Sequence, residues 1–115
     1  MLARENRLRK ANEITRVYKR GNYGAVSGVL SVKALSSGRG QTRVVVVVGK
    51  KISKKAVVRN KIRRRLIGHL QAHWATLRAG YDIVVNVHTD LSAVPMDKIA
   101  QALTQALDRA GAITS

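Results

Sequence analysis

The residues of this sequence best suited to chemistry form a run of cations between Lys50 and Arg65. Nine of these sixteen residues are lysine or arginine, none is acidic, and Arg59-Asn60-Lys61 stands at the centre. Guanidinium and ammonium groups bind phosphate oxygens, and an asparagine side chain can hydrogen-bond to a nucleic-acid backbone or base edge. So many like charges repel one another unless a polyanion lies against them. The run therefore indicates a nucleic-acid-binding surface.

The charge of the whole chain supports this interpretation. The 115 residues include 22 Lys and Arg against six Asp and Glu, a formal net charge of +16. Seven further cations lie between Arg4 and Arg20, whereas no residue from Ile14 to Tyr81 is acidic. A surface that only maintains solubility mixes both signs. These counts alone are also typical of a small ribosomal or nucleoid-type protein that coats nucleic acid.

Catalytic chemistry by the protein itself is not predicted. His69 and His73 have the i, i+4 spacing of a helical metal site, but no acid or cysteine accompanies them. The six acids are scattered, so the sequence offers no carboxylate cluster for paired metal ions that cleave phosphodiesters. A self-sufficient nuclease would need such a site. We therefore expect neither a catalytic residue nor a metal site.

Cellular location is constrained by what the sequence lacks. The chain has no cysteine, which fits a reducing cytoplasm. The longest aliphatic run, Val44 to Val48, is far too short to cross a bilayer, and the N-terminus lacks the apolar stretch of a signal peptide. We expect a cytoplasmic protein that does not bind membranes.

The first half of the chain predicts one helix and three strands. Residues 1–11 are predicted to form an extended, basic N-terminal arm, followed by a short helix between Asn12, its N-cap, and Gly21. The segment 26–35 is β-rich, with a bend or bulge at Gly28, and a turn occupies residues 36–41. The run 42–48 predicts a central strand buried on both faces.

The second half predicts a strand between two helices. Apolar residues recur every four positions from Val58 to Leu70, which predicts a long helix from about Ser53 to Leu77 with its cations on another side. An apolar strand at 81–87 would pair in parallel with strand 42–48 through that helix. The last helix begins near Pro95, ends at Gly111, and buries Met96, Ile99, Leu103, Leu107 and Ala110. The order αβββαβα indicates a single-domain α+β sandwich over residues 1–115.

Three ordered motifs resemble the protein subunit of bacterial ribonuclease P and span nearly the whole chain. They are Asn6-Arg7-Leu8-Arg9-Lys10 through Val17-Tyr18-Lys19-Arg20-Gly21, then Lys50-Lys51-(x)4-Ala56-Val57-Val58-Arg59-Asn60-Lys61-Ile62-Arg63-Arg64, then Gly80-Tyr81-Asp82-Ile83-Val84-Val85. The resemblance implies a mostly antiparallel central sheet. It also implies a left-handed strand–helix–strand crossover, contrary to the usual rule for parallel strands.

The resemblance also implies a function. The family binds the catalytic RNA of ribonuclease P and the 5′ leader of precursor tRNA, and assists removal of that leader. The RNA carries out the hydrolysis with Mg²⁺, so the protein alone binds no cofactor, and no protein partner is implied. Carried over by position, the contacts to the catalytic RNA would be Lys50, Lys51, Lys54, Lys55, Arg59, Asn60, Lys61, Arg63, Arg64 and Arg65.

The leader would lie in a cleft between the sheet and the first helix. The resemblance places Arg7, Arg9, Lys10, Ile14, Tyr18 and Val32 there. Only Tyr18 among them offers a ring for stacking on a base. Ile14 and Tyr18 have an alternative role in ordinary core packing. A second departure from the family is Lys61, where Arg is commoner; its charge is kept but bidentate phosphate binding is not.

Overall fold

A computed structural model describes residues 2–114 as an α+β sandwich in the predicted order αβββαβα. Met1 and Ser115, the two ends of the predicted single domain, lie outside the described residues. The elements are α1 (Ala11–Arg20), β1 (Asn22–Val26), β2 (Leu30–Ser36), β3 (Arg43–Val47), α2 (Ala56–Ala72), β4 (Tyr81–Val87) and α3 (Met96–Arg109). Two short 3₁₀ turns, Arg4–Asn6 and Trp74–Thr76, precede α1 and follow α2.

The four strands form one mixed sheet in the order β1-β2-β4-β3. The β1–β2 and β2–β4 pairs are antiparallel, and β3 pairs with β4 in parallel, with Val45 opposite Val84. The predicted mostly antiparallel sheet and the parallel pair joined through α2 are thus confirmed. The left-handed sense of that connection stays a prediction.

The prediction that segment 42–48 is the central strand is wrong, because β3 lies at an edge of the sheet. Its residues alternate between buried and half-buried, whereas β4 has four successive buried residues, Asp82 to Val85. A run of valines satisfies either position, since valine packs well on any pleated surface. The outer side of β3 is bridged in part by the N-terminal arm, where the Leu8 amide donates to the Val44 carbonyl at 3.1 Å.

Two apolar layers cover the faces of the sheet. One face packs against α2 and α3 through a large core that includes Ile62, Leu66, Leu70 and Leu103. The other face carries a smaller cluster in which Leu8, Val17 and Val84 are buried. Ile14, Leu35, Val45 and Val47 pack against that cluster. The helix α1 therefore rests on a much thinner apolar layer than α2 and α3 do.

The boundaries of several elements differ from those predicted. The segment around Gly28 is a hairpin turn between two strands, in which Gly28 takes a φ of 76° that favours glycine. The arm is not simply extended, since it contains the 3₁₀ turn and buries Leu8.

The three helices differ from the prediction only near their ends. The first helix begins at Ala11 with Lys10 as its N-cap, so Asn12 does not cap it. The second ends at Ala72, five residues before the predicted end. In α3 the predicted stripe is buried from Ile99 onward, but Met96 in the first turn is exposed.

Candidate nucleic-acid interface

The loop before α2 and the first half of α2 form a continuous cationic surface, which we call the basic surface. It comprises Lys50, Lys51, Lys54, Lys55, Arg59, Asn60, Lys61, Arg63, Arg64 and Arg65. The four lysines of the loop are exposed, and no acidic residue lies in the first turn of the helix. In the part of the chain that the structure describes, ion pairs join carboxylates only to Arg39 and Arg43. The charge of the basic surface is therefore not neutralised by ion pairing.

The cations of α2 divide between free and engaged side chains. Lys61 and Arg64 are exposed. Arg59 is half-buried and donates to the Ser53 carbonyl at 2.9 Å, which holds the preceding loop against the helix. Arg65 is also half-buried and donates to the carbonyls of Leu91 and Ser92, at 2.7 and 3.0 Å. Arg59 and Arg65 thus help to fix the shape of the surface as well as its charge.

Asn60 has a structural reason to stand in mid-helix. Its Oδ1 accepts a hydrogen bond from Nη1 of Arg63, one turn further along, while the residue itself stays exposed. This contact orients the Arg63 guanidinium along the surface and leaves the Asn60 amide NH₂ group as a donor.

A second surface lies on the opposite face of the sheet, beside α1. We call it the sheet-face cleft and define it by Tyr18, Tyr23, Lys33 and Asn86. The Tyr18 hydroxyl donates to Oδ1 of Asn86 at 2.8 Å, and Nζ of Lys33 donates to the Tyr18 carbonyl at 2.7 Å. The same ammonium group lies 5.9 Å from the centre of the Tyr23 ring. Two exposed rings and a cation thus lie together, a combination that suits stacked, negatively charged nucleotides.

Five of the six predicted cleft residues fall into three groups. Tyr18 is 37% exposed and lines the sheet-face cleft, whereas Ile14 is half-buried against the small apolar cluster. Arg7, Arg9 and Lys10 lie at the other end of α1, around a hollow shared with Glu13 and Arg43.

The prediction for Val32 is wrong. This residue is fully buried in the core beneath α2 and α3. Successive residues of a strand face opposite sides of the sheet, so the neighbours of Val32 at positions 31 and 33 face the cleft instead.

Three cleft residues were not predicted from the sequence. Tyr23 and Lys33 are opposite each other across the β1–β2 pair, on the face away from Gly24 and Val32. Identifying these two residues as neighbours requires the register of the β1–β2 hairpin. The sequence predicted only a bend or bulge at Gly28, which does not fix that register. Asn86 could have been identified from the sequence as a cleft residue, because it is the one amide in an otherwise apolar strand end.

A buried ion network ties α1 to the sheet. Arg43 donates two hydrogen bonds to the fully buried carboxylate of Asp82, at 2.9 and 2.8 Å, and two more to Glu13, at 3.1 and 3.0 Å. The hydrogen bonds from Arg43 are the main reason that the pKa of Glu13 is lowered. The pKa of Arg43 is raised, first by Asp82 and then by Glu13. These two carboxylates are therefore both committed to one guanidinium.

Metal ligands do not cluster in the described residues. Residues 2–114 contain no group of three or more His, Cys, Asp or Glu side chains placed to hold a metal ion. The rings of His69 and His73 lie 4.4 Å apart, and the pKa of His69 is lowered by burial and by His73.

Within residues 2–114, no helix has the length and apolar character needed to cross a membrane.

Comparison with known proteins gives a consistent result along nearly the whole chain. Residues 2–111 match the family model described as Ribonuclease P. The chain is 35% identical to the ribonuclease P protein component of a Pseudanabaena species, over 96% of this chain and 95% of the relative. It is 32% identical to that of a Cyanothece species, over the same shares of the two chains.

Solved structures agree in fold. The ribonuclease P protein of Thermotoga maritima, solved in complex with 1-(4-fluorophenyl)-2-thiourea, superposes with a TM-score of 0.80 at 26% identity. The match covers 90% of this chain and 98% of the other. The Staphylococcus aureus protein superposes with a TM-score of 0.81 at 24% identity, over 95% and 98% of the two chains.

Proposed function

Because this chain belongs to the family of ribonuclease P protein components, we propose that it assists the removal of 5′ leaders from precursor tRNA. In this proposal the basic surface binds the catalytic RNA subunit, and the sheet-face cleft holds the leader. The protein would act in the cytoplasm.

The observation that carries the proposal is the placement of these two surfaces on opposite sides of one sheet. Within residues 2–114 the cations of α2 lie on one side and form no ion pair, and Tyr18, Tyr23 and Lys33 lie on the other side beside α1. One molecule can therefore contact two RNA segments at once. Phosphate contacts on the basic surface would position the protein, and stacking in the cleft would retain a single strand.

The catalytic step is assigned to the RNA partner. Cleavage of a phosphodiester by a protein commonly relies on carboxylates that hold metal ions. In the described residues Glu13 and Asp82 come together, but Arg43 engages both of them. The Mg²⁺ that the reaction requires would accordingly be held by the RNA, while the protein supplies positive charge and holds the substrate.

Reconstitution tests the proposal directly. The purified protein is combined with a bacterial ribonuclease P RNA and a precursor tRNA at low Mg²⁺, where charge neutralisation by the protein matters most. We expect faster cleavage at the mature 5′ end than with the RNA alone, and no cleavage by the protein alone. A nucleic-acid-coating protein of the ribosomal or nucleoid type would bind both RNAs without accelerating cleavage, and that result would refute the proposal.

A further inference from the structure

A groove with a volume of about 670 Å³ lies between the N-terminal arm, β3 and α2, and we call it the arm groove. Its lining combines apolar and cationic side chains with Gly68 and Gln71, and it contains no acidic residue. The apolar part is formed by Leu2, Leu8, Val44, Val45, Val46 and Ile67. The cationic part is formed by Arg7, Arg9, Arg63 and Arg64.

The four arginines can still bind an anion. Arg9 and Arg64 are exposed. Nε of Arg7 donates to the Leu2 carbonyl at 3.0 Å, and Nη1 of Arg63 donates to Oδ1 of Asn60. A guanidinium carries five N–H donors, so each of these two arginines keeps donors for a further oxygen.

The groove is continuous with the basic surface, because Arg63 and Arg64 belong to both. At 100° per residue, Arg63 lies about 40° from Ile67 on α2, and the exposed Arg64 and Lys61 lie about 40° and 20° from Gly68. An RNA strand bound along the exposed cations of α2 would therefore pass the mouth of the groove.

We propose that the arm groove binds one unpaired nucleotide of the RNA partner, with its base on the apolar floor and its phosphate at the arginines. The proposal rests on the proposed function, in which that partner is the catalytic RNA. Only a nucleotide outside a duplex can present an apolar base face together with a phosphate, and guanidinium planes stack on such bases. A duplex would place phosphates on the arginines and leave the apolar floor unused.

Gly68 offers a way to fill the groove without disturbing the fold. It lies in the lining, and a Cβ added there meets no atom within 4 Å. Gly68→Leu would occupy the space of the base, while leucine favours a helix more than glycine does. Gly68→Ala is the matched control, because it gives the same backbone benefit but adds only a methyl group.

The test measures catalytic-RNA binding and the chemical reactivity of unpaired bases for the wild type and both variants. We expect the wild type and Gly68→Ala to shield at least one unpaired base. Gly68→Leu should expose that base and bind about tenfold more weakly, within the range measured for bases stacked on proteins. If Gly68→Leu does not fold, Arg9→Ala should expose the same base.

Each opposite outcome has a definite meaning. Wild-type shielding and affinity in a folded Gly68→Leu variant would overturn the arm-groove proposal and leave the proposed function intact. If Gly68→Leu abolishes self-association of the protein and leaves RNA binding unchanged, the occupant of the groove is a second copy of this chain. That result would also overturn the arm-groove proposal. Failure of the wild type to bind the catalytic RNA would overturn the proposed function as well.

Discussion

At the scale of single residues, Arg43 holds the buried ion network together. It is the partner of the fully buried Asp82, so Arg43→Met would leave a buried carboxylate without a counter-charge. Breaking such a pair from one side costs about 3–5 kcal/mol, which urea unfolding would measure. Arg39→Ala is the control, because the exposed Arg39 also contacts Glu13 but should contribute less than about 1 kcal/mol. Equal losses in the free energy of unfolding of the two variants would show that burial does not increase the contribution of the ion pair.

The same network gives the protein a pH dependence on the acid side. The pKa of Glu13 is lower in the folded state than in the unfolded state, mainly through the hydrogen bonds from Arg43. Ionised Glu13 therefore stabilises the fold above its unfolded pKa, and this contribution disappears as the pH falls through its folded pKa. Glu13→Gln should lower the melting temperature at neutral pH, and the difference from wild type should shrink as the pH falls below the unfolded pKa of Glu13 and through its folded pKa. A difference that does not change with pH would exclude ionisation as the cause.

Substitutions of Tyr18 test whether the sheet-face cleft binds the leader. Tyr18→Ala should weaken the binding of leader-bearing precursor by about 1–3 kcal/mol relative to mature tRNA, because a base would lose its stacking surface. Tyr18→Phe keeps the ring and removes only the hydrogen bond to Asn86, so it should bind the precursor nearly as the wild type does. If Tyr18→Ala changes the free energy of unfolding alone, Tyr18 is a packing residue and the cleft assignment is wrong.

At the scale of elements, α2 carries cations with two different roles. Arg64 is exposed, so Arg64→Ala should weaken catalytic-RNA binding and leave the melting temperature unchanged. Arg65 holds the loop between β4 and α3 through two carbonyls, so Arg65→Ala should lower the melting temperature as well as the affinity. Binding titrations and thermal melts of both variants check this difference. Identical behaviour of the two variants in the melts would contradict the structural role of Arg65.

The elements also show what the sequence could and could not predict. The apolar spacing from Val58 to Leu70 placed α2 and its cationic side, because a helix turns by a fixed angle per residue. The position of β3 in the sheet could not be read from its valines, since strand order depends on contacts with β4 and the arm far away in the chain. Val32 was misplaced for a related reason, because a shift of one residue in register exchanges the two faces of a strand.

At the scale of the whole molecule, the uneven charge should make RNA binding strongly dependent on salt. The formal net charge of +16 is concentrated on the arm and the basic surface. If six or more of these cations contact phosphates, affinity should fall about 1,000-fold or more between about 50 and 200 mM salt. The double variant Lys54→Gln/Lys55→Gln removes two exposed charges and should make the slope shallower by about two contacts. A loss of affinity below about tenfold would contradict phosphate contact along the basic surface.

The unequal thickness of the two apolar layers has a consequence for motion. In residues 2–114 the layer beneath α1 buries Leu8, Val17 and Val84, a small fraction of the side chains buried beneath α2 and α3. Segments with few buried contacts open locally at a lower free-energy cost than the whole domain unfolds. We therefore expect α1 to open at a lower free-energy cost than α2 or α3, against the contacts that Arg43, Lys33 and Asn86 make with it. Such opening would let the sheet-face cleft admit single strands of different bulk and then close on them. The width of this binding surface would then vary because the apolar layer beneath α1 is thin.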